Sequence, residues 1–136
     1  MILICGNGGL ASTASHFTAE LTGTFAFPVY IPCIDLTSNN AQLTALSNDI
    51  GYENVFAHLV NVQGKKGDTF IGLTTSHSKN ILKACQVAKE KGMHVLLWDG
   101  DFLKGETTAQ KQEYCIVKLH ELVYNLKKEI WESLKK

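Results

Sequence analysis

Residues 2–21 read ILICGNGGLASTASHFTAEL, and the fold turns on how this stretch is divided. Ile2–Cys5 is a four-residue apolar run of the length expected for a buried strand, and it stops at a glycine-rich turn. Ala11–Leu21 then has helical spacing. Three more runs repeat the strand pattern: CIDL at Cys33–Leu36, TFIGL at Thr69–Leu73 and HVLLW at His94–Trp98. Helical patterns over Asn40–Leu46, Glu53–Val62 and Ser78–Lys91 lie between them. Such alternation predicts an α/β chain with a doubly wound, mainly parallel sheet of about four strands. DGDFLKGETTAQK, between Trp98 and Gln112, contains no further apolar run. A long C-terminal helix follows, with Ile116, Leu119, Val123, Leu126 and Ile130 forming one stripe. That stripe suits either the chain's own sheet or a second helix, including one from another subunit.

At 136 residues the chain is expected to form a single domain over residues 1–136. Hydrophobic residues make up 45% and charged residues 19%, which excludes a disordered or fibrous class. Thirteen Lys+Arg balance thirteen Asp+Glu, so no overall field recruits nucleic acid or an anionic membrane. Lys127, Lys128, Lys135 and Lys136 are interleaved with Glu129 and Glu132, the pattern of a solvated helix face. Cys5, Cys33, Cys85 and Cys115 form no C-x-x-C pair, which argues against a zinc ribbon or disulfide framework. With no signal-peptide pattern and no apolar run long enough to span a bilayer, the expected compartment is the cytoplasm.

Two strand-to-helix loops carry candidate ligand contacts. CGNGG at residues 5–9 is either a plain tight turn or a loop that places backbone N–H groups beside the positive end of a helix, which suits a phosphate or a sugar hydroxyl. It matches neither of the nucleotide-binding glycine motifs. TTSHS, Thr74–Ser78, offers four hydroxyls at a second helix start, of which Ser78 also suits an N-cap. A third polar turn, SNDIGYEN at residues 47–54, puts Asn48 and Asp49 at a helix end.

Among ionisable groups, His16 and Glu20 are four residues apart and share a helix face. Such a pair makes half of a metal site, serves proton transfer, or is a plain surface ion pair. Gln112 and His120 lie roughly 80° apart around the last helix.

Together, CGNGG, HFTAELTG, LTALSNDIGYENVF, GDTFIGLTTSHS, ACQVAKEKGM and QEYCIVKLH resemble the sugar isomerase (SIS) domain family, and within it the phosphoheptose isomerases. The resemblance runs in order through most of the chain. H-x-x-x-E early with Q-x₇-H late is what favours the isomerase branch. It implies a flavodoxin-like, Rossmann-like fold and interconversion of sedoheptulose 7-phosphate with an aldoheptose 7-phosphate for surface-glycan precursors. It further implies one zinc held by His16, Glu20, Gln112 and His120, with Glu20 as general base, His120 as general acid and no nucleotide. Substrate contacts are implied at Asn7, Gly8, Gly9, Glu20, Asn48, Asp49, Thr74, Thr75, Ser76, Ser78 and Gln112. A homotetramer or dimer is implied as well.

The chain departs from the family pattern in several places. Leu10 stands for a usual serine, Thr24 for an arginine and Ala109 for an acidic residue, and the hydroxyl loop is one residue short. N-terminal helices and a fifth strand, usual in the family, have no counterpart in this sequence. The alternative implied by the same fold is a non-catalytic sugar-phosphate sensor or protein adaptor. Glu20 favours the enzyme, because the adaptor branch usually lacks it.

Overall fold

The computed structural model describes residues 1–136. Four strands form one parallel sheet: β1 (Ile2–Cys5), β2 (Cys33–Asp35), β3 (Thr69–Leu73) and β4 (His94–Trp98), in the order β2-β1-β3-β4. Leu3 pairs with Ile34 on one side and Phe70 on the other, and Ile71 pairs with Leu96. The strands fall where the apolar runs predicted them, and no fifth strand forms between Trp98 and the last helix.

Five helices cover the sheet: α1 (Gly9–Thr22), α2 (Asn40–Ile50), α3 (Val55–Gln63), α4 (Lys79–Glu90) and α5 (Thr108–Leu134). A single 3₁₀ turn, Tyr52–Asn54, joins α2 to α3. Side chains alternate across a strand with period two, so β1 feeds two cores. Leu3 and Cys5 pack with Phe56, Leu59, Phe70 and Ile81 on the α3/α4 face. Ile4 packs with Leu10, Phe17, Leu21, Leu119 and Val123 on the α1/α5 face.

Leu10 is part of that second core, 2% exposed. Its apolar side chain points inward from the first turn of α1, which explains why a hydroxyl is dispensable there for folding. The start of α5 is fixed by a capping box in which Thr107 and Gln110 each satisfy a backbone N–H of the other. The inward seam of α5 is Cys115, Leu119, Val123 and Lys127. The predicted stripe is therefore half right. Leu119 and Val123 are buried, but Ile116, Leu126 and Ile130 are only half-buried.

Lys127 corrects the reading of the C-terminal lysines as a solvated face, because it is 0% exposed. Its Nζ donates to the carbonyls of Gly23 (2.9 Å) and Phe25 (3.2 Å), where α1 ends. Those carbonyls supply partners that a periodicity argument cannot see.

Candidate functional site

The order β2-β1-β3-β4 reverses direction between β1 and β3, and open α/β sheets bind ligands outside the carboxyl ends of the strands at such a point. The two loops singled out by sequence are the ones that leave β1 and β3. In the first, Gly8 has φ +55°, a left-handed conformation that glycine accepts freely. Gly9 begins α1, and a Cβ built there would lie 2.7 Å from the amide of Gln112, so this position admits only glycine without displacing that side chain.

Asn7 sits in a chain of fixed amides. The backbone N–H of Ile81 donates to Asn80 Oδ1 (2.9 Å), which decides which way the Asn80 amide faces. Asn80 Nδ2 therefore donates to Asn7 Oδ1 (3.0 Å), and Tyr52 Oη donates to the same oxygen (2.6 Å). One Asn7 N–H returns to Asn80 Oδ1 (3.1 Å). The other remains to meet an acceptor. Neither Tyr52 nor Asn80 was legible as a site residue, since their role appears only when three separate segments meet.

The TTSHS loop is organised around Thr74, which is 3% exposed. Its Oγ1 accepts from the backbone N–H of Ser76 (3.2 Å) and of Ser78 (3.4 Å), and lies 3.1 Å from Ser78 Oγ. Ser78 occupies the N-cap position of α4 without making a capping bond. Thr75 and Ser78 are half-buried and Ser76 is exposed, while Thr74 is turned inward as the loop's organiser. Asn48 and Asp49 lie exposed in the last turn of α2, as expected, with Asn48 Nδ2 3.4 Å from Asp49 Oδ1.

His16 and Glu20 on α1 meet His120 on α5. His16 Nε2 lies 2.6 Å from Glu20 Oε1, and His120 Nε2 lies 2.9 Å from the same oxygen. The two imidazoles meet edge to face at 5.2 Å, and Phe25 stacks on His120 with ring centroids 5.8 Å apart. Glu20 Oε2 is buried with no hydrogen-bond partner. Gln112 does not join the three; it lies about two turns earlier on α5 with its amide against Gly9.

This geometry fits a divalent metal. Two imidazole nitrogens and one carboxylate are the donor set of many catalytic zinc centres, and the three ligating atoms lie within 4.8 Å of one another. A buried carboxylate oxygen without a partner costs free energy that a cation relieves.

Elsewhere, His77 lies between Asp99 (3.5 Å) and Asp101 (3.7 Å), each on a different ring nitrogen, so the carboxylates flank the imidazole. A hollow of about 440 Å³ between α1 and the edge strand β2 is lined by Ser15, Thr18, Cys33 and Asp35 and contains none of the three. Asp35 is already satisfied there by Ser15 and Thr37. Burial pushes the Cys33 thiol up to about 11 and Cys115 up to about 12, the behaviour of inert, structural cysteines. All four cysteines are free.

Comparison with known proteins supplies the context for this geometry. Residues 1–96 match the SIS domain family. A phosphoheptose isomerase of Helicobacter pylori (strain P12) is 52% identical over 97 residues, 70% of this chain and 50% of its own length. A phosphoheptose isomerase of Neisseria gonorrhoeae (strain NCCP11945) is 42% identical over 101 residues, 73% of this chain and 51% of its own. The chain thus spans about half the length of the curated relatives it matches. Among solved structures, phosphoheptose isomerase GmhA from Neisseria gonorrhoeae superposes with a TM-score of 0.81 at 35% identity. One from Francisella tularensis gives 0.84 at 30% identity. Each superposition covers 90% of this chain and 73% of the other.

Proposed function

The chain belongs to the SIS domain family, and from that premise we propose that it is a phosphoheptose isomerase. The reaction is the interconversion of sedoheptulose 7-phosphate and D-glycero-D-manno-heptose 7-phosphate. The observation that carries this reading is the convergence of His16, Glu20 and His120 from two helices.

Aldose–ketose isomerisation moves one proton between neighbouring carbons through an enediol. Glu20 is the base: its carboxylate takes a proton from C1 of the ketose, exchanges it with solvent and delivers a proton at C2. His120, bonded to Glu20 and stacked on Phe25, handles the proton on the carbonyl oxygen in the opposite sense. A divalent metal, zinc in our reading, would be held by His16, Glu20 and His120 and would supply Lewis-acid polarisation of the reacting sugar oxygens. Gln112 is a fourth ligand only if its amide leaves Gly9 or comes from a second copy of the chain.

At the other end of the substrate, phosphate oxygens are acceptors. They match the uncommitted Asn7 N–H, the backbone around Gly8 and Gly9 at the start of α1, and the Thr75, Ser76 and Ser78 hydroxyls. Asn48 and Asp49, on the last turn of α2, complete the proposed substrate contacts.

Homo-oligomerisation is part of the proposal. α5 buries one seam and leaves apolar side chains facing outward, with Val117 55% and Tyr124 44% exposed seven residues apart on one face. That face suits a helix of another copy.

The test is to measure bound zinc and turnover of sedoheptulose 7-phosphate. Wild type with zinc turns over; Glu20→Gln loses about 10²–10⁴-fold, and stripping the metal abolishes the activity reversibly. No turnover at any metal loading contradicts the proposal, and an equally active Glu20→Gln removes Glu20 as the base.

A further inference from the structure

Lys127 is a buried ion that the chemistry above does not use. A lysine is almost never fully buried unless paired, yet its side chain is completely enclosed. Its partners are two backbone carbonyls, those of Gly23 and Phe25. Burial pushes its pKa down, and the negative charge of Glu20 partly offsets that. The Gly23 carbonyl belongs to the C-terminal end of α1, where the helix dipole favours a cation, and the Phe25 carbonyl lies in the bend that follows. Gly23 is the C-cap residue of that helix.

A second, independent feature lies in the same turn. Ala26 has φ +62°, the one non-glycine residue of the chain in a left-handed conformation. Such a residue persists only where its surroundings hold it. Between Gly23 and Ala26 sits Phe25, whose carbonyl binds Lys127 and whose ring stacks on His120. His120 in turn bonds Glu20.

We propose that Lys127 is a positioning residue: by clamping the carbonyls of Gly23 and Phe25 it holds the Ala26 turn and seats Phe25 on His120. The imidazole is thereby aimed at Glu20, and a positive charge is brought to the end of α1 that carries this carboxylate. The functional half of the inference rests on the isomerase reading; the structural half does not.

The experiment uses the full chain, metal-free, with histidine-selective NMR. Phenylalanine-to-leucine replacement at position 25 (Phe25→Leu) gives the reference for a lost stack, because it removes the ring current acting on the His120 ring protons. Lys127→Met is expected to move the same resonances in the same direction with the sheet resonances unchanged. Where Lys127→Met yields no folded protein, Lys127→Arg replaces it, since the larger fork displaces the clamped carbonyls and shifts His120 part of the way. His120 resonances unmoved in the folded Lys127 variant, while Phe25→Leu moves them, overturn the proposal. Turnover supplies the second readout: kcat falls by about ten- to a hundredfold, while KM for the sugar phosphate changes little because its phosphate contacts lie in other loops. A shifted His120 with an inactive wild type sinks the isomerase reading and leaves the clamp standing. An active wild type with an unmoved His120 does the reverse.

Discussion

At the scale of single residues, the site depends on groups whose orientation is settled by neighbours distant in sequence. Asn7 is the clearest case. Its amide faces one way because Ile81 N–H fixes Asn80, and because Tyr52 Oη takes the remaining position on Asn7 Oδ1. Removing the Tyr52 hydroxyl leaves the Asn7 amide held by Asn80 alone and so less firmly placed. Tyr52→Phe is therefore expected to raise KM for the sugar phosphate about fivefold, the worth of roughly 1 kcal/mol for one hydrogen bond, with kcat unchanged. Steady-state kinetics checks it; an unchanged KM means that Asn7 does not need the tyrosine. The glycine loop, the His16/Glu20 spacing and the hydroxyl loop were legible because each is a local pattern. Tyr52, Asn80, Phe25 and Lys127 were not, because their meaning lies in contacts across roughly 45 to 100 positions of chain, which no local periodicity encodes. Lys127 even misled, since a lysine among alternating charges reads as solvated until a pair of carbonyls is found beneath it.

At the scale of elements, α1 and α5 bring the three ionisable groups together, so their packing is a condition of the site. Leu119 is 0% exposed and immediately precedes His120, and it packs into the core shared with Phe17 and Leu21. Leu119→Ala is expected to cost about 2–5 kcal/mol of stability, read as a lower midpoint in urea denaturation. Zinc affinity falls with it, because the helix that carries His120 loses its seat. A variant that loses stability but binds zinc as tightly as wild type would separate the seam from the site. All four strands were visible in sequence, since a buried parallel strand is a continuous apolar run. Helix ends were less so. α5 begins at a capping box rather than at the first apolar residue, and α2 runs on to Ile50 through polar positions that no apolar stripe marks.

At the scale of the molecule, β4 is an open edge of the sheet, with Leu96 40% exposed, and α5 carries outward-facing apolar side chains. Both are surfaces that association would cover. Light scattering is expected to show an oligomer that Tyr124→Glu shifts toward smaller species; a strictly monomeric wild type contradicts the oligomeric part of the account. The fold and family rest on agreement between sheet order, the SIS domain match and the superposed isomerases. The chemistry rests on Glu20. Running the reaction from sedoheptulose 7-phosphate in D₂O and locating the label by NMR tests it most directly. The account predicts solvent deuterium at C2 of the aldose product, with incorporation lost in Glu20→Gln. Product that keeps the substrate's own proton throughout, or a Glu20→Gln variant that exchanges at the wild-type rate, would contradict it.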